Sequence, residues 1–315
     1  MSIVVHKPGL LSTIQDLGRY GWQRYGVIVS GAMDAHAHAA ANILVGNQPN
    51  EATLEFTLSG PALFFEQAHL IAICGADMNP AVQGIPVPMN RPVYIAAGTE
   101  LTFGSVRSRA GSRCYLAFAG GIAADHVMGS YSTCIRAGFG GHKGRALQAG
   151  DQLKIRPAGK LGRELTMYLK HKHGRHEKDS SAFTSVRWRA SYTVLPASTQ
   201  HPVLRYLPGL HEHLFDEESL AAFEDSEYRI MPQSDRMGYR LSGRPLQLRE
   251  PVSLLSEAVT FGTVQVPPDG HPIVLGADRQ TTGGYPVFAQ IITADLLLLA
   301  RAQIGSIVRF RKTDV

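Results

Sequence analysis

Short apolar runs bounded by turn-forming residues recur along the sequence, and they constrain the fold more than any other feature. Each run has the length of an ordinary strand and ends near Gly, Pro, Asp or Asn. Their close spacing predicts an all-β sandwich or barrel and argues against alternating βαβ units. The runs are residues 69–76, 92–98, 100–106, 113–121, 152–158, 202–209, 260–267, 271–277 and 306–311.

A few short helices interrupt this pattern. Residues 34–45 place alanines and a leucine on one helical face, and Gly46 follows where a C-terminal cap belongs. A second helix is predicted to begin at Asp216, whose side chain can cap it, and a third follows Thr293. The predicted fold is therefore mainly β with a few short helices.

Two pairs of short segments resemble each other. "SGAMD" (30–34) is followed by "LSGPAL" (58–63), and "SDRMG" (234–238) is followed by "LSGRPL" (241–246). Two related β units would explain this similarity, although chance similarity of turn sequences is also open.

The histidine- and lysine-rich run "KHKHGRHEKD" (170–179) lies between the two halves. Its histidines could bind a metal, but the run has no apolar periodicity and is typical of a solvated linker. We therefore predict an N-terminal β unit at 1–165, a linker at 166–185 and a C-terminal β unit at 186–315.

Composition limits the possible functions. The chain has 315 residues, of which 44% are hydrophobic, so it can form a substantial core. It has no apolar stretch of membrane-spanning length and no secretion-signal pattern, which favours a soluble protein. Its three cysteines form no C-x-x-C pair, which favours the reducing cytoplasm. The net charge of +5 is too dispersed for nucleic-acid binding but suits a small anionic substrate.

Two polar clusters near the N-terminus are candidate substrate-binding sites. Gln15, Asp16 and Arg19 lie among glycines that let the backbone approach a ligand, or else Asp16 and Arg19 pair within a turn. Ser30 and Asp34 precede the first predicted helix, where they can help to bind an anion or simply cap the helix.

A glycine-rich segment, "GFGGHKGRAL" (138–147), is a candidate phosphate site. The backbone of Gly140 and Gly141, with the cations of Lys143 and Arg145, could hold a phosphate or carboxylate. The segment lacks the spacing of a P-loop, and a glycine-rich hairpin without a ligand is the alternative.

The segment "ADRQTTGGYP" (277–286) directly follows an apolar run, and a simple turn does not need so many polar side chains. Asp278 can accept protons or help to hold magnesium, and Arg279 can bind a carboxylate through two parallel hydrogen bonds. The other candidates here are Gln280, Thr281 and Tyr285, with Arg236 of "SDRMG" as a companion. None of the clusters has the spacing of a metal site.

These blocks resemble the family of 5-oxoprolinase C subunits, also labelled allophanate hydrolase subunit 2-like or biotin-dependent carboxyltransferase-like. "TIQDLGRYGWQRYGVIVSGAMD", "GFGGHKGRAL", "SDRMGYRLSG" and "ADRQTTGGYP" carry the resemblance, which runs in order from about residue 8 to 311. It implies two cyclophilin-like β-barrel units.

The resemblance also implies a function. A family member of this kind works with B and A subunits to cleave 5-oxo-L-proline to L-glutamate, using ATP with Mg that a partner could bind in large part. Asp278, Arg279, Gln280 and Thr281 would then be catalytic. The substrate would contact Gln15, Asp16, Arg19, Ser30, Asp34, Arg236 and Tyr285, and phosphate would contact Gly140, Gly141, Lys143 and Arg145.

Two alternatives stay open. The chain could be a subunit of a biotin-dependent carboxyltransferase of the urea amidolyase type, in which case a separate carrier must supply biotin because no Ala-Met-Lys-Met-like turn is present. It could instead be a non-catalytic regulator that binds a kinase-inhibitor-like B partner.

Overall fold

The computed structural model describes residues 2–107, 111–175, 182–191 and 201–314. The described residues fall into two compact units. Unit 1 lies within Met1–Arg19 and Asp34–Val194, and unit 2 lies within Tyr20–Met33 and Leu195–Val315. Unit 2 is therefore assembled from two separate parts of the chain, whereas the sequence predicted one continuous segment for each unit.

Unit 1 contains two six-stranded antiparallel sheets, ordered β11-β1-β4-β9-β6-β7 and β12-β8-β5-β10-β3-β2. The strands are β1 (Ser2–Lys7), β2 (Leu11–Gln15), β3 (Thr53–Thr57), β4 (Ala62–Phe65), β5 (His69–Gly75), β6 (Ala81–Val82), β7 (Ile85–Pro86), β8 (Pro92–Ile95), β9 (Thr99–Thr102), β10 (Arg113–Phe118), β11 (Gln152–Lys154) and β12 (Phe183–Ser185).

The burial pattern of each strand in unit 1 depends on whether one or both of its faces are packed against other elements. Strands β5 and β10 are buried along nearly their whole length, because helix α1 (Ala35–Leu44) packs on both of them and the core fills their other face. Their runs are accordingly continuous in apolar residues. Strand β1 instead alternates buried and half-buried residues, with Ile3 and Val5 in the core.

Unit 2 contains a closed seven-stranded barrel, ordered β13-β20-β17-β18-β15-β14-β21, and a separate two-stranded ribbon of β16 and β19. The pair β13 and β21 is parallel and closes the barrel, with Val203 opposite Arg309. The strands are β13 (Val203–Pro208), β14 (Tyr228–Ile230), β15 (Gly238–Ser242), β16 (Glu257–Ala258), β17 (Thr263–Gln265), β18 (Ile273–Leu275), β19 (Thr282–Gly283), β20 (Val287–Ile291) and β21 (Ile307–Lys312).

Aromatic residues dominate the core of unit 2. Phe223, on helix α3 (Glu217–Asp225), stacks on Phe310 of β21 with ring centroids 4.1 Å apart. It also contacts the rings of Tyr206 and Phe288, so it links α3 to three barrel strands.

The chain has a second long helix, α2 (Lys160–Arg175), a short helix α4 (Leu296–Arg301), and 3₁₀ turns at Gln23–Tyr25, Glu212–Leu214 and Thr293–Asp295. Residues 166–175 of the predicted linker lie in α2, where Leu169 is buried, while residues 176–181 lie outside the described part of the chain. Because most residues of α2 are polar, the sequence pattern did not predict that this apolar position is buried in a helix.

The prediction of a mainly β fold with a barrel and a few short helices is confirmed. The closed barrel lies in unit 2, while unit 1 has two sheets. The first and second predicted helices begin as expected, because Asp34 accepts a hydrogen bond from Ala37 N at 3.0 Å and Asp216 accepts one from Ser219 N at 2.7 Å. Across the described residues, none of the helices combines the length and the apolar character that crossing a membrane requires.

Candidate functional site

A cavity of about 220 Å³ lies in unit 2, close to the end of strand β18 and the polar segment 277–286 that follows it. This segment turns back to form β19, which pairs with β16. The polar side chains around the cavity come from this segment, from the neighbouring strands and from the turn before β15. They include Asp235, Arg240, Gln265, Arg279, Gln280 and Tyr285. Three of the predicted site residues, Arg279, Gln280 and Tyr285, therefore line one cavity.

Arg279 is the most unusual group in this cavity. Only 9% of it is exposed, and its Nε and Nη1 donate to the carbonyls of Val259 and Gly276 at 3.3 Å each, which is long for such bonds. Among the residues described, no carboxylate forms an ion pair with it. Burial lowers the pKa of the guanidinium, which nevertheless keeps its charge at neutral pH. A buried cation held only by carbonyls is well suited to bind an anion.

Asp278 and Arg236, two further predicted site residues, bind each other. Arg236 donates from Nε and Nη2 to the two carboxylate oxygens of Asp278 at 2.8 and 2.9 Å. Its Nη2 also donates to the carbonyl of Gly31 at 2.7 Å, and its own carbonyl accepts from Asp278 N at 2.9 Å. This arrangement fixes the start of the polar segment against residues 30–33. The chemical roles predicted for both residues stay predictions.

Gln265 lines the same cavity, and sequence reasoning missed it. It lies at the end of β17, is 5% exposed, and donates from Nε2 to the carbonyl of Tyr285 at 3.2 Å. The signal was present in the sequence, because "TVQVP" alternates apolar and polar residues, so that Thr263 and Gln265 share the face opposite Val264. Thr281, also predicted, is not among the residues that line the cavity, and its backbone carbonyl accepts from Val259 N at 3.1 Å.

The N-terminal cluster lies in unit 1 and is bound to a neighbouring loop. Asp16 accepts hydrogen bonds from Gly18 N at 2.8 Å, Tyr131 N at 2.6 Å, and the hydroxyls of Ser130 and Ser132. This buried carboxylate therefore holds the loop at 130–132 in place.

Arg19 and Gln15 hold the same region. Arg19 is fully buried, donates to the carbonyls of Val127 and Ser132 at 2.8 and 2.9 Å, and lies 4.7 Å from the ring centre of Phe139. Gln15 is also buried and donates to Thr133 O at 3.4 Å. The structure thus brings the predicted residues Gln15, Asp16 and Arg19 together as supports of one loop.

The predicted phosphate segment follows this loop. Arg145 makes two hydrogen bonds of 2.7 Å to the carboxylate of Asp151, and this pairing holds the pKa of Asp151 well below its usual range. The charge of Arg145 is therefore already compensated. Lys143 is exposed at a positive φ of 56°, and Gly140, at φ 72°, lies directly against the carbonyl of Ser132.

Asp34 and Ser30 fall in different units. Asp34 caps α1 and donates from its backbone N to the hydroxyl of Tyr115 at 2.8 Å. Ser30, in unit 2, is buried at a positive φ of 57°.

A buried polar network that the sequence did not reveal surrounds the start of α1. Tyr115 donates to Glu55 at 2.7 Å, and His38 Nδ1 lies 2.8 Å from the hydroxyl of Thr53. Burial lowers the pKa of His38 to about 4, so this ring is neutral at pH 7. The network is buried and supports the helix.

Comparison with known proteins identifies relatives of the whole chain. The model of one family, described as "Carboxyltransferase domain, subdomain A and B", matches residues 25–312. The chain is 37% identical to the 5-oxoprolinase C subunit of Haemophilus influenzae and 38% identical to that of Escherichia coli K12, covering 96% of this chain and 89% of each relative.

A solved structure is similar over the same length. The crystal structure of the K. lactis urea amidolyase matches 99% of this chain with a TM-score of 0.85 at 27% identity. The match covers only 19% of that much longer chain.

Proposed function

The chain belongs to the family of carboxyltransferase domains, subdomains A and B, and from this premise we propose that it is the C component of an ATP-dependent 5-oxoprolinase. In this proposal it acts with B-like and A-like partner subunits in the cytoplasm to cleave 5-oxo-L-proline to L-glutamate. Two relatives that bear the name of the 5-oxoprolinase C subunit, each matched over 89% of its length, support this reading.

The observation that carries the proposal is the buried, carbonyl-bound guanidinium of Arg279 in a cavity of about 220 Å³. 5-Oxo-L-proline is a five-membered lactam with one carboxylate, and a guanidinium with no carboxylate partner can bind that group through two parallel hydrogen bonds. Cavities for drug-sized ligands span roughly 300–1,000 Å³, so this one suits a smaller molecule. Arg279 would hold the carboxylate, while Gln280, which lines the same cavity, orients the ring.

The same cavity does not fit ATP. Its volume is below the range for larger ligands, and Arg279 is a single buried cation where a triphosphate needs several charges. In the predicted phosphate segment, Arg145 is already paired with Asp151, which leaves Lys143 and backbone groups. In this proposal the nucleotide and its magnesium ion therefore belong to the partner subunits.

Carboxyl transfer to a urea-like amide is the second candidate, favoured by the similarity to the K. lactis urea amidolyase. A separate carrier would then have to supply biotin. Urea has no carboxylate, so on this reading the anion at Arg279 would be the carboxyl group of carboxybiotin or of the carboxylated product. Regulation of a B-like partner, without chemistry, is the third candidate.

Reconstitution tests the proposal. The chain is mixed with its B-like and A-like partners, ATP and magnesium, and glutamate release from 5-oxo-L-proline is followed. We expect release that stops when this chain is omitted and that falls at least about tenfold in Arg279→Met. Arg244→Met, a change at an exposed surface pair, is the control and should keep full activity. An assembled complex that releases no glutamate would reject the proposal in favour of carboxyl transfer or regulation.

A further inference from the structure

The side-chain amide of Gln265 has a fixed orientation. Its nitrogen must face the carbonyl of Tyr285, 3.2 Å away, because a carbonyl can only accept a hydrogen bond. The amide oxygen therefore points away from that carbonyl. No described residue donates a hydrogen bond to this Oε1, although only 5% of the residue is exposed. An acceptor in a cavity wall to which no described residue donates is available to a ligand.

Gly283 holds this amide in place. A Cβ atom added at residue 283 would lie 2.4 Å from Nε2 and 2.9 Å from Oε1 of Gln265. The amide thus packs directly on the glycine backbone. Residue 283 also belongs to β19, the strand that follows Arg279 and Gln280 along the cavity wall. The acceptor and the buried cation therefore belong to one cavity and are tied to the same short segment.

We propose that Gln265 determines the specificity of this cavity, its Oε1 accepting the ring N–H of a small cyclic amide whose carboxylate is bound by Arg279. The ligand class is a compact lactam acid, and its identity as 5-oxo-L-proline rests on the proposed function above. Gln265 would discriminate a lactam from an isosteric lactone by the ring N–H. In the lactone a ring oxygen replaces this N–H, so two hydrogen-bond acceptors would face each other.

The lactone of 2-hydroxyglutarate, 5-oxotetrahydrofuran-2-carboxylate, is the matched probe because it keeps the ring, the carbonyl and the carboxylate. Binding of this lactone and of 5-oxo-L-proline is measured by calorimetry on the full chain, alone and assembled with its partners. We expect the wild-type chain to prefer the lactam by about 10- to 100-fold, the range expected when a bound ligand leaves an acceptor in the cavity wall without a donor.

Gln265→Met keeps the length of the side chain and removes the acceptor. The preference should fall to within about twofold of unity, while affinity for the lactone changes little because Arg279 is untouched. Gln233→Met is the matched control, since Gln233 is an exposed glutamine at the same cavity and its loss should leave the preference intact.

A second pair of variants covers the case in which Gln265→Met disturbs folding. Gly283→Ala displaces the end of a flexible side chain, so the fold should tolerate it while the amide moves and the preference drops. Gly284→Ala is its control, because the added Cβ would lie an ordinary 3.4 Å from the hydroxyl of Ser256.

The outcomes separate this inference from the proposed function. An unchanged lactam preference in both Gln265→Met and Gly283→Ala, or binding of neither probe by the assembled wild-type protein, would overturn the role of Gln265. Loss of preference in a protein that binds the lactam but releases no glutamate would support it while rejecting the 5-oxoprolinase reaction.

Discussion

Replacing Arg236 by methionine should destabilise unit 2 strongly. Arg236 is 5% exposed, and both of its bonds to Asp278 and the bond to the carbonyl of Gly31 are short. Methionine fills much of the same volume but leaves a carboxylate and a carbonyl without their donors.

The size of the effect follows from what remains behind. Removing one partner of a buried ion pair costs about 3–5 kcal/mol, because the other charge stays uncompensated. The side chain of Asp278 is 12% exposed, so water can reach it in part and the lower end applies. The lost bond to Gly31 adds about 1 kcal/mol. We expect a total of about 4 kcal/mol, a large share of the roughly 5–15 kcal/mol by which a typical domain is stable.

The assay uses tryptophan fluorescence during urea unfolding. The chain has two tryptophans, Trp22 in unit 2 and Trp188 in unit 1. Trp188 is 54% exposed, so a Trp188→Phe background should be tolerated and leaves Trp22 to report on unit 2. The free energy of unfolding is then compared with and without Arg236→Met.

Arg244→Met is the control for removing an arginine charge. Arg244 pairs with Glu218, and both side chains are at least half exposed, so we expect a change within about 0.5 kcal/mol. Adding Asp278→Asn to Arg236→Met should recover part of the loss, since it removes the uncompensated charge. A cost for Arg236→Met no larger than that for Arg244→Met would refute the reasoning.

Three further predictions concern the glycine segment, the buried histidine and the cavity. Gly140→Ala should lower the free energy of unfolding by more than about 3 kcal/mol, since its Cβ would lie 2.3 Å from a carbonyl oxygen at positive φ. Gly138→Ala, also at positive φ but in open space, should cost about 1 kcal/mol. Both changes are measured by urea unfolding with Trp188, the tryptophan of unit 1, as the reporter. Because the pKa of His38 is about 4 in the folded protein against an ordinary 6.5, the unfolded chain binds the proton more readily. The contribution of His38 to stability should therefore be present in full above pH 6.5 and be lost, by roughly 3 kcal/mol, toward pH 4. Urea titrations over this pH range should find a smaller slope in His38→Gln. Arg279→Lys keeps the charge but not the two-pronged geometry, so KM for 5-oxo-L-proline in the assembled enzyme should rise at least about tenfold with a smaller change in kcat; an unchanged KM would contradict carboxylate binding there.

Local sequence patterns predicted the elements whose character is local. The runs that became β5 and β10 were found because both faces of these strands are buried and their residues are continuously apolar. The starts of α1 and α3 were found because a capping aspartate is recognisable within a few residues of the helix it caps.

Other elements depend on partners that are distant in the sequence. Strands β2 and β3 carry buried polar residues, including Gln15 and Glu55, and such residues weaken an apolar pattern. They are tolerated because residues far along the chain satisfy them, as Tyr115 does for Glu55 across 60 positions. No window of ordinary length contains both partners.

In the candidate site too, the residues that stand out locally were predicted and the contacts between distant residues were not. The polar segment 277–286 was conspicuous because it holds more hydrogen-bonding groups than a turn requires, and Arg279 does line a cavity. That Asp278 is paired with Arg236, 42 positions away, is a tertiary fact, and so is the contact between Gln265 and Gly283. These contacts depend on which side chains are buried together in the folded chain, and the composition of the segment does not contain that information.

The split membership of unit 2 has a consequence for how the protein is made. Residues 20–33 leave the ribosome before any part of Leu195–Val315 has been synthesised. At about 5–20 residues per second, the wait is on the order of ten seconds. During that time Tyr20, Trp22 and Tyr25, which are exposed in the folded structure too, lie on a nascent segment that has no partner strands yet. Exposed aromatic side chains on an unfolded nascent segment are the kind of surface that chaperones protect from aggregation.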